Sequence, residues 1–522
     1  MRRRRLALSL LIVLALSVTA VGQAPVPAPL PKDPLAGWDE FVNKALVDWK
    51  VPGVAIAVVH GGEILLLKGY GWRDPEGTLP VTPKTLFPVG SATKAFTTFV
   101  MGQLAEEGKL DWNAPISRYI PGFRLKDPFA SERINAVDLV THRSGLPRHD
   151  ALWFHATLSR AELVGRLRWL DPSKDFRTDF QYSNLTYVVA GLAVEKIVGT
   201  SWEEAVRARV FGPLGMTSSN FSIRDLWKSP DFALPTEERD GKLLRMEFRD
   251  VTIVGPALAI NSSAADLVPW LTVQAGDGSL HGRRIVSEAT LADLHRPRME
   301  TGAPRTEAEV VPGGYALGWF TDTYRGFQRL YHGASVDGFS AVVVLIPEKK
   351  LGMALLANRN GTLLPSLLAR HLTDRLLGLA PREWNAERLA QRDPSREAGR
   401  EAASRRAGVR RAGTKPAHPL EEYTGGYEDP GYGVLGIAKD GDRLSMTYNG
   451  ITTPMEHWHD ETWSGVKPVG ADADDTFENF RITFLADGTG GVTAVAAPME
   501  PAVADVVFRR RPGGVPAPGR TK

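Results

Sequence analysis

Apolar positions along this chain recur with two periods, and the periods assign the elements. Trp38 to Trp49 repeats at helical spacing, whereas Val51 to Val59 is an unbroken apolar run of strand length. His60-Gly61-Gly62-Glu63 then reads as a hairpin turn and Ile64 to Lys68 as the returning strand. From Ala92 to Glu107, Gly102 is the single helix-weakening residue. Phe96, Phe99, Val100 and Leu104 lie on one helical face, and Gly108 supplies the stop. Further helices are predicted near Ile134 to Thr141, from Leu185 to Val198, from Trp202 to Gly215, and after the capping run Asn261-Ser262-Ser263. Tyr315 to Thr321 reads as one strand, with Phe339 to Ile346 and Met353 to Asn358 as two more. Leu363 to Leu377 closes the unit as an amphipathic helix. Helix, antiparallel hairpin, helices and returning strands together predict mixed α/β layer packing.

The pattern changes twice after that. From Arg382 to Lys415 the chain turns to Arg, Ala and Glu, with Arg388, Arg392, Arg396 and Arg400 four apart, which reads as a solvated linker helix or a partly disordered one. Beyond Pro419 short strands alternate with turns at Asp440-Gly441, Asn449-Gly450 and Asp487-Gly488, predicting a small antiparallel β domain or barrel. His457 and His459 share a strand face there, but two histidines alone make no metal site.

At 522 residues the chain is too long for one ordinary core. A net charge of +3 gives no case for nucleic acid, and the absence of cysteine excludes thiol chemistry and disulfides. Arg2 to Arg5, the apolar run Leu6 to Leu16 and the small residues up to Ala20 have the layout of a secretory signal. The expected order is therefore a signal peptide over 1–22 and a Pro-rich leader over 23–36. A main domain over 37–380, a charged linker over 381–418, a β domain over 419–512 and a tail over 513–522 follow. The mature chain is expected to lack a membrane span and to be exported, periplasmic or secreted.

The candidate chemistry starts at Gly90-Ser91-Ala92-Thr93-Lys94. Ser91 sits at the mouth of the predicted helix with Lys94 one turn in, so an amine can share the serine's proton near the positive end of the helix dipole. A plain N-cap serine and a solvated lysine fit the same residues. Tyr182-Ser183-Asn184 precedes another helix. Its phenol and amide are either a plug and a cap, or a proton relay and a substrate contact. His142 beside the Ser144-Gly145 turn reads as structural rather than as a base. His332-Gly333-Ala334-Ser335 places a histidine beside small residues.

Taken in order, Ser91-Ala92-Thr93-Lys94, Tyr182-Ser183-Asn184 and His332-Gly333-Ala334-Ser335 resemble the three motifs of the class C β-lactamase and penicillin-binding-type serine hydrolases. Thr141 to Pro147 and Phe211-Gly212-Pro213-Leu214-Gly215-Met216 are similar to two further recurrent loops of that family, and the tail is similar to the lipocalin-like domain of some members. The resemblance implies an α+β fold, an antiparallel sheet flanked by helices plus an all-helical region, with the site between them. It implies Ser91 as nucleophile, with Lys94 and Tyr182 handling its proton, whichever of the two is neutral at rest. Asn184, Gly333 and Ala334 would contact substrate, His332 would stand where β-lactamases carry Lys, and the backbone N–H groups of Ser91 and Ser335 would form the oxyanion hole. No cofactor or metal is implied.

His332, Ala334 in place of Gly, and Leu258-Ala259 in place of a Gly-Gly pair depart from the β-lactamase pattern. The implied activity is acyl transfer on esters or small peptide amides, D-amino-acid peptides included. A sensor with little turnover and a true β-lactamase are the alternatives. A titrating His332 would give a step in kcat/KM near pH 6–7. Oligomeric state is left open.

Overall fold

The computed structural model describes residues 32–239, 241–407, 410–411, 413–467 and 476–512. The expected signal peptide, residues 23–31 of the leader and the tail lie outside the described residues.

The frame is a sheet of eight antiparallel strands that carries helices on both faces. In chain order the framing elements are α1 (Trp38–Trp49), β1 (Gly53–His60), β2 (Glu63–Gly71), α2 (Thr93–Glu106), α3 (Asn184–Val198), α4 (Ala264–Ala275), β3 (Met299–Glu300), β4 (Val310–Tyr315), β5 (Phe320–Tyr324), β6 (Phe327–Val336), β7 (Phe339–Ile346), β8 (Leu351–Ala357) and α5 (Leu364–Leu376). The strand order is β2-β1-β8-β7-β6-β5-β4-β3. Successive side chains of a strand point to opposite faces, and here both faces are covered. Val54, Ile56 and Val58 of β1 meet α1 and α5 on one side, while Ala55, Ala57 and Val59 join the core beneath α2 and α4 on the other. Burial on both faces explains why β1, β7 and β8 read as continuous apolar runs rather than alternating ones.

The stretch expected as one strand from Tyr315 to Thr321 is two strands, β4 and β5, joined by a tight turn at Ala316–Trp319 in which the Ala316 N–H donates to Trp319 O over 2.7 Å. Gly318 makes the turn possible. It has φ +88°, and a Cβ there would lie 2.8 Å from Thr98 Oγ1 and 2.9 Å from Ala95 Cα. The turn therefore rests directly on the helix behind Ser91.

The charged segment begins as a docked helix, not as a solvated linker. α6 (Trp384–Ala407) buries Trp384, whose indole N–H donates to Asp374 Oδ2 over 2.9 Å. Asn385 accepts from the Trp49 indole over 2.5 Å, Arg392 donates to Asp48 O over 2.9 Å, and Arg388 pairs with Glu307. A carboxylate and a backbone carbonyl on distant elements thus hold Arg388 and Arg392, which look solvent-facing in the sequence.

Eight strands form a closed antiparallel barrel: β9 (Gly425–Asp429), β10 (Gly433–Asp440), β11 (Arg443–Tyr448), β12 (Ile451–His459), β13 (Thr462–Gly465), β14 (Arg481–Ala486), β15 (Val492–Ala497) and β16 (Val506–Arg510). Pairing of Tyr427 with Arg510 and Glu428 with Arg509 closes it and leaves no free sheet edge. Leu435, Ile437, Met446, Trp463, Phe484 and Phe508 are buried, in a core continuous with that of the main domain. Trp169 and Leu170 pack against Gly431 at the junction.

Candidate active site

Ser91 lies in a single 3₁₀ turn, Gly90–Ala92, that runs straight into α2. Gly90 has φ +49°, and a Cβ there would approach Val336 Cγ2 to 2.9 Å and Ala334 Cβ to 3.1 Å. Only glycine lets this turn press against β6. Ser91 is not the cap of α2. Its hydroxyl instead faces Lys94 Nζ at 3.3 Å, the i,i+3 geometry the spacing implied.

Lys94 is fully buried and makes two further bonds, donating to Asn184 Oδ1 over 2.9 Å and to Ala257 O over 3.2 Å. Both partners can only accept. With Ser91 Oγ these make three oxygens around Nζ; in the neutral form, with its two protons on the carbonyls, the amine turns its lone pair toward Ser91. The electrostatics agree. Burial holds the Lys94 amine well below the ordinary lysine range, the nearby Arg148 guanidinium lowers it further, and Asp150 opposes in part. Desolvation dominates and favours the neutral amine.

Tyr182 covers this pair. Its phenol lies beside the Ser91 side chain, and its ring centroid is 4.7 Å from Lys94 Nζ. Burial raises its pKa above the usual tyrosine range, so the phenol keeps its proton. His142 fixes the loop that presents it. His142 Nδ1 accepts the Ser183 N–H over 3.1 Å, and His142 O accepts from Gln181 N over 2.7 Å.

Asn184 reaches the site as expected but is turned inward. Its Nδ2 donates to Asp150 Oδ1 over 3.2 Å while Oδ1 holds Lys94. Asp150 also accepts from Trp153 Nε1 over 2.8 Å and from Arg148 Nε over 2.6 Å. The sequence reading passed over Asp150 and Arg148. Their only local trace is their position just after the Gly145-Leu146-Pro147 turn.

His332 departs most from expectation. It is buried, and both ring nitrogens are committed. Nδ1 donates to Gly333 O over 2.8 Å, so Nε2 accepts from the Tyr315 hydroxyl over 3.0 Å. Burial, with Lys94 nearby, pushes its pKa down to about 3. His332 is thus a fixed neutral ring that braces Tyr315. A titration step near pH 6–7 does not arise from it. Ala334 turns its methyl toward Gly90 rather than into open space, whereas Gly333 is exposed with nothing within 4 Å of where a Cβ would stand. Beyond Tyr331, β6 loses its pairing to β5, and this unpaired edge passes the Ser91 turn, with Ser335 N 3.7 Å from the Gly90 Cβ position. The Ser91 N–H lies in a first helical turn and so has no intrahelical acceptor.

A buried serine, a desolvated amine and a buried phenol stand together beside a free strand edge. A family model described as Beta-lactamase matches residues 38–378. This chain belongs to the β-lactamase family. A second model, described as Domain of unknown function (DUF3471), matches 409–510 and so takes in the barrel. The chain is 30% identical over 450 residues to an unguisins hydrolase of Aspergillus campestris, covering 81% of this chain and 82% of that one. Among solved structures it is similar to the octameric penicillin-binding protein homologue from Pyrococcus abyssi, with TM-score 0.59, 22% identity, and 91% of this chain and 100% of that chain covered. It is also similar to a D-stereospecific amidohydrolase from Streptomyces sp., with TM-score 0.53, 21% identity, and 66% and 99% covered. The structural likenesses concern the fold. Family and fold together make this chain a β-lactamase/penicillin-binding-fold serine hydrolase.

Proposed function

We propose that this chain hydrolyses small peptide amides or esters through an acyl-enzyme on Ser91, with Lys94 as general base. The observation that carries this reading is a fully buried Lys94 whose Nζ lies 3.3 Å from Ser91 Oγ, in a pocket that disfavours its charged form. Ser91 Oγ attacks the substrate carbonyl as its proton passes to Lys94 Nζ. The carbonyl oxygen, now negative, is held by the N–H groups of Ser91 and Ser335. Collapse breaks the bond to the leaving group, which takes its proton from the Lys94 ammonium through the Tyr182 hydroxyl. Water then attacks the ester, gives its proton to Lys94 by the same route, and the proton returns to Ser91 as the acid leaves.

Amides with D-residues are the preferred class. The name of the unguisins hydrolase supports a hydrolytic reaction, and that of the D-stereospecific amidohydrolase supports an amide with D-stereochemistry. The substitution of a neutral, buried histidine at 332 removes the cation that would hold an antibiotic carboxylate, which speaks against efficient β-lactam turnover. Delivery across a membrane by the N-terminal signal belongs to the same proposal.

Incubation with a fluorophosphonate, followed by peptide mass mapping, should place the adduct on Ser91. A p-nitrophenyl ester should be turned over with a stoichiometric burst that Ser91→Ala removes. Equal turnover by that variant would overturn the reading, and rapid nitrocefin hydrolysis would move the substrate class to β-lactams.

A further inference from the structure

The barrel reaches into the machinery around Ser91. We propose that it holds the loop from Arg148 to Phe154 in the one conformation that lets Asp150 lock Asn184, which makes Tyr432, Asn449 and Glu500 positioning residues for the reaction. This inference rests on the Ser91–Lys94 chemistry proposed above.

The loop is riveted to the barrel on both sides of Asp150. His149 sits on one side, in the left-handed conformation with φ +48°, which costs a non-glycine residue roughly 1–2 kcal/mol. Its backbone N–H donates to Glu500 Oε2 over 2.6 Å. Its ring Nε2 faces Asp171 O at 3.0 Å, an atom that only accepts, so Nε2 carries the proton and Nδ1 accepts from the Tyr432 hydroxyl over 2.6 Å. Glu500 is itself fixed, since Oε1 accepts the Ala502 N–H over 3.0 Å. On the other side, Asn449 at the tip of the β11–β12 turn donates to Phe154 O over 2.9 Å, with longer contacts to Ala151 O and Leu152 O at 3.4 and 3.5 Å. Between the two anchors the loop has a single short turn, Asp150–Leu152. A segment with so little structure of its own belongs to the easily opened part of a protein unless it is tied down.

What the tie secures is an amide orientation. Asp150 accepts from Arg148 Nε, Trp153 Nε1 and Asn184 Nδ2, and with Nδ2 turned to it Asn184 leaves Oδ1 for Lys94. If Asp150 swings away, nothing stops the Asn184 amide from flipping. Its NH₂ would then face Lys94 Nζ and claim the lone pair that Ser91 needs. The path from barrel to nucleophile runs through the loop backbone, Asp150, Asn184 and Lys94, and every link is a hydrogen bond or a neighbouring residue.

Contacts that merely glued two domains together would have no such consequence, and a double-mutant cycle in the full chain separates the cases. Asn449→Asp keeps a residue that tolerates the left-handed turn at φ +46° but removes the donor. Tyr432→Phe removes the other barrel contact independently. Single-turnover acylation by a p-nitrophenyl ester should slow about tenfold in each, with the ester KM changed less than about twofold, because the loss is one of alignment. Asp150→Ala should slow it about a hundredfold. The Asn449→Asp/Asp150→Ala double variant should be no slower than Asp150→Ala alone, while the losses in Tm add. Wild-type acylation rates in both barrel variants would overturn the proposal. Rate losses that multiply in the double variant would overturn it too. A wild-type chain that is not acylated at Ser91 would instead overturn the underlying reading of the site.

Discussion

Asn184→Asp places a carboxylate where the structure has an amide oxygen, 2.9 Å from Lys94 Nζ. A unit charge at that distance favours the ammonium by about 6 kcal/mol at an effective dielectric constant of about 20, equivalent to about four pKa units. Two effects oppose it. Asp150 already stands 3.2 Å from the other end of the same side chain and repels a second carboxylate, and the new charge must be buried. A net rise of about 1–3 units in the Lys94 pKa is therefore expected. Because the neutral amine is the base, the acid limb of the acylation rate should move to higher pH by the same amount. At any pH below the wild-type limb the variant should be about 10- to 1000-fold slower, and it should recover most of that loss as the pH is raised. Stopped-flow release of p-nitrophenol across pH 5–10.5 measures this directly. A uniform loss at every pH, with the limb unmoved, would refute the argument that Lys94 must be unprotonated.

Two further outcomes follow from the same geometry. His332 has a folded-state pKa of about 3, against about 6.5 in an unfolded chain, so the unfolded state takes up a proton first as the pH falls. The stability it contributes is present above about pH 6.5 and is lost between there and about pH 3. His332→Gln should flatten part of the fall of Tm with acid yet leave the acid limb of acylation in place, and a vanished limb would restore His332 to a titrating role. Trp384→Ala should lower unfolding stability by about 3–5 kcal/mol in urea, as expected for a buried indole. A cost below about 1 kcal/mol would fit an undocked helix instead.

The parts of the site that local pattern reveals are those joined by helix geometry. Ser91 and Lys94 meet because residues three apart on a helix share a face, and the hairpin and barrel turns announce themselves through Gly and Asn. The resemblance supplied Tyr182 and Asn184, but the direction of the Asn184 amide is set by Asp150, 34 residues away, and no local signal encodes it. The contact between His332 and Tyr315 is hidden for a similar reason, since Tyr315 ends a strand that the turn at Gly318 conceals in the sequence. Arg388 and Arg392 of α6 look solvated in the sequence because Glu307 and Asp48 are distant from them along the chain.

The central claim is that Ser91 gives its proton to a neutral, buried Lys94. The pH dependence of fluorophosphonate labelling at Ser91, compared between wild type and Lys94→Met, tests it most directly. Labelling of the wild type should rise to a plateau through a single ionisation well below the ordinary lysine value of about 10.4, and the variant should lose both the limb and about 10²–10⁴ in rate. Equal rates in the two proteins, or a wild-type limb that rises only near the ordinary lysine value, would contradict it.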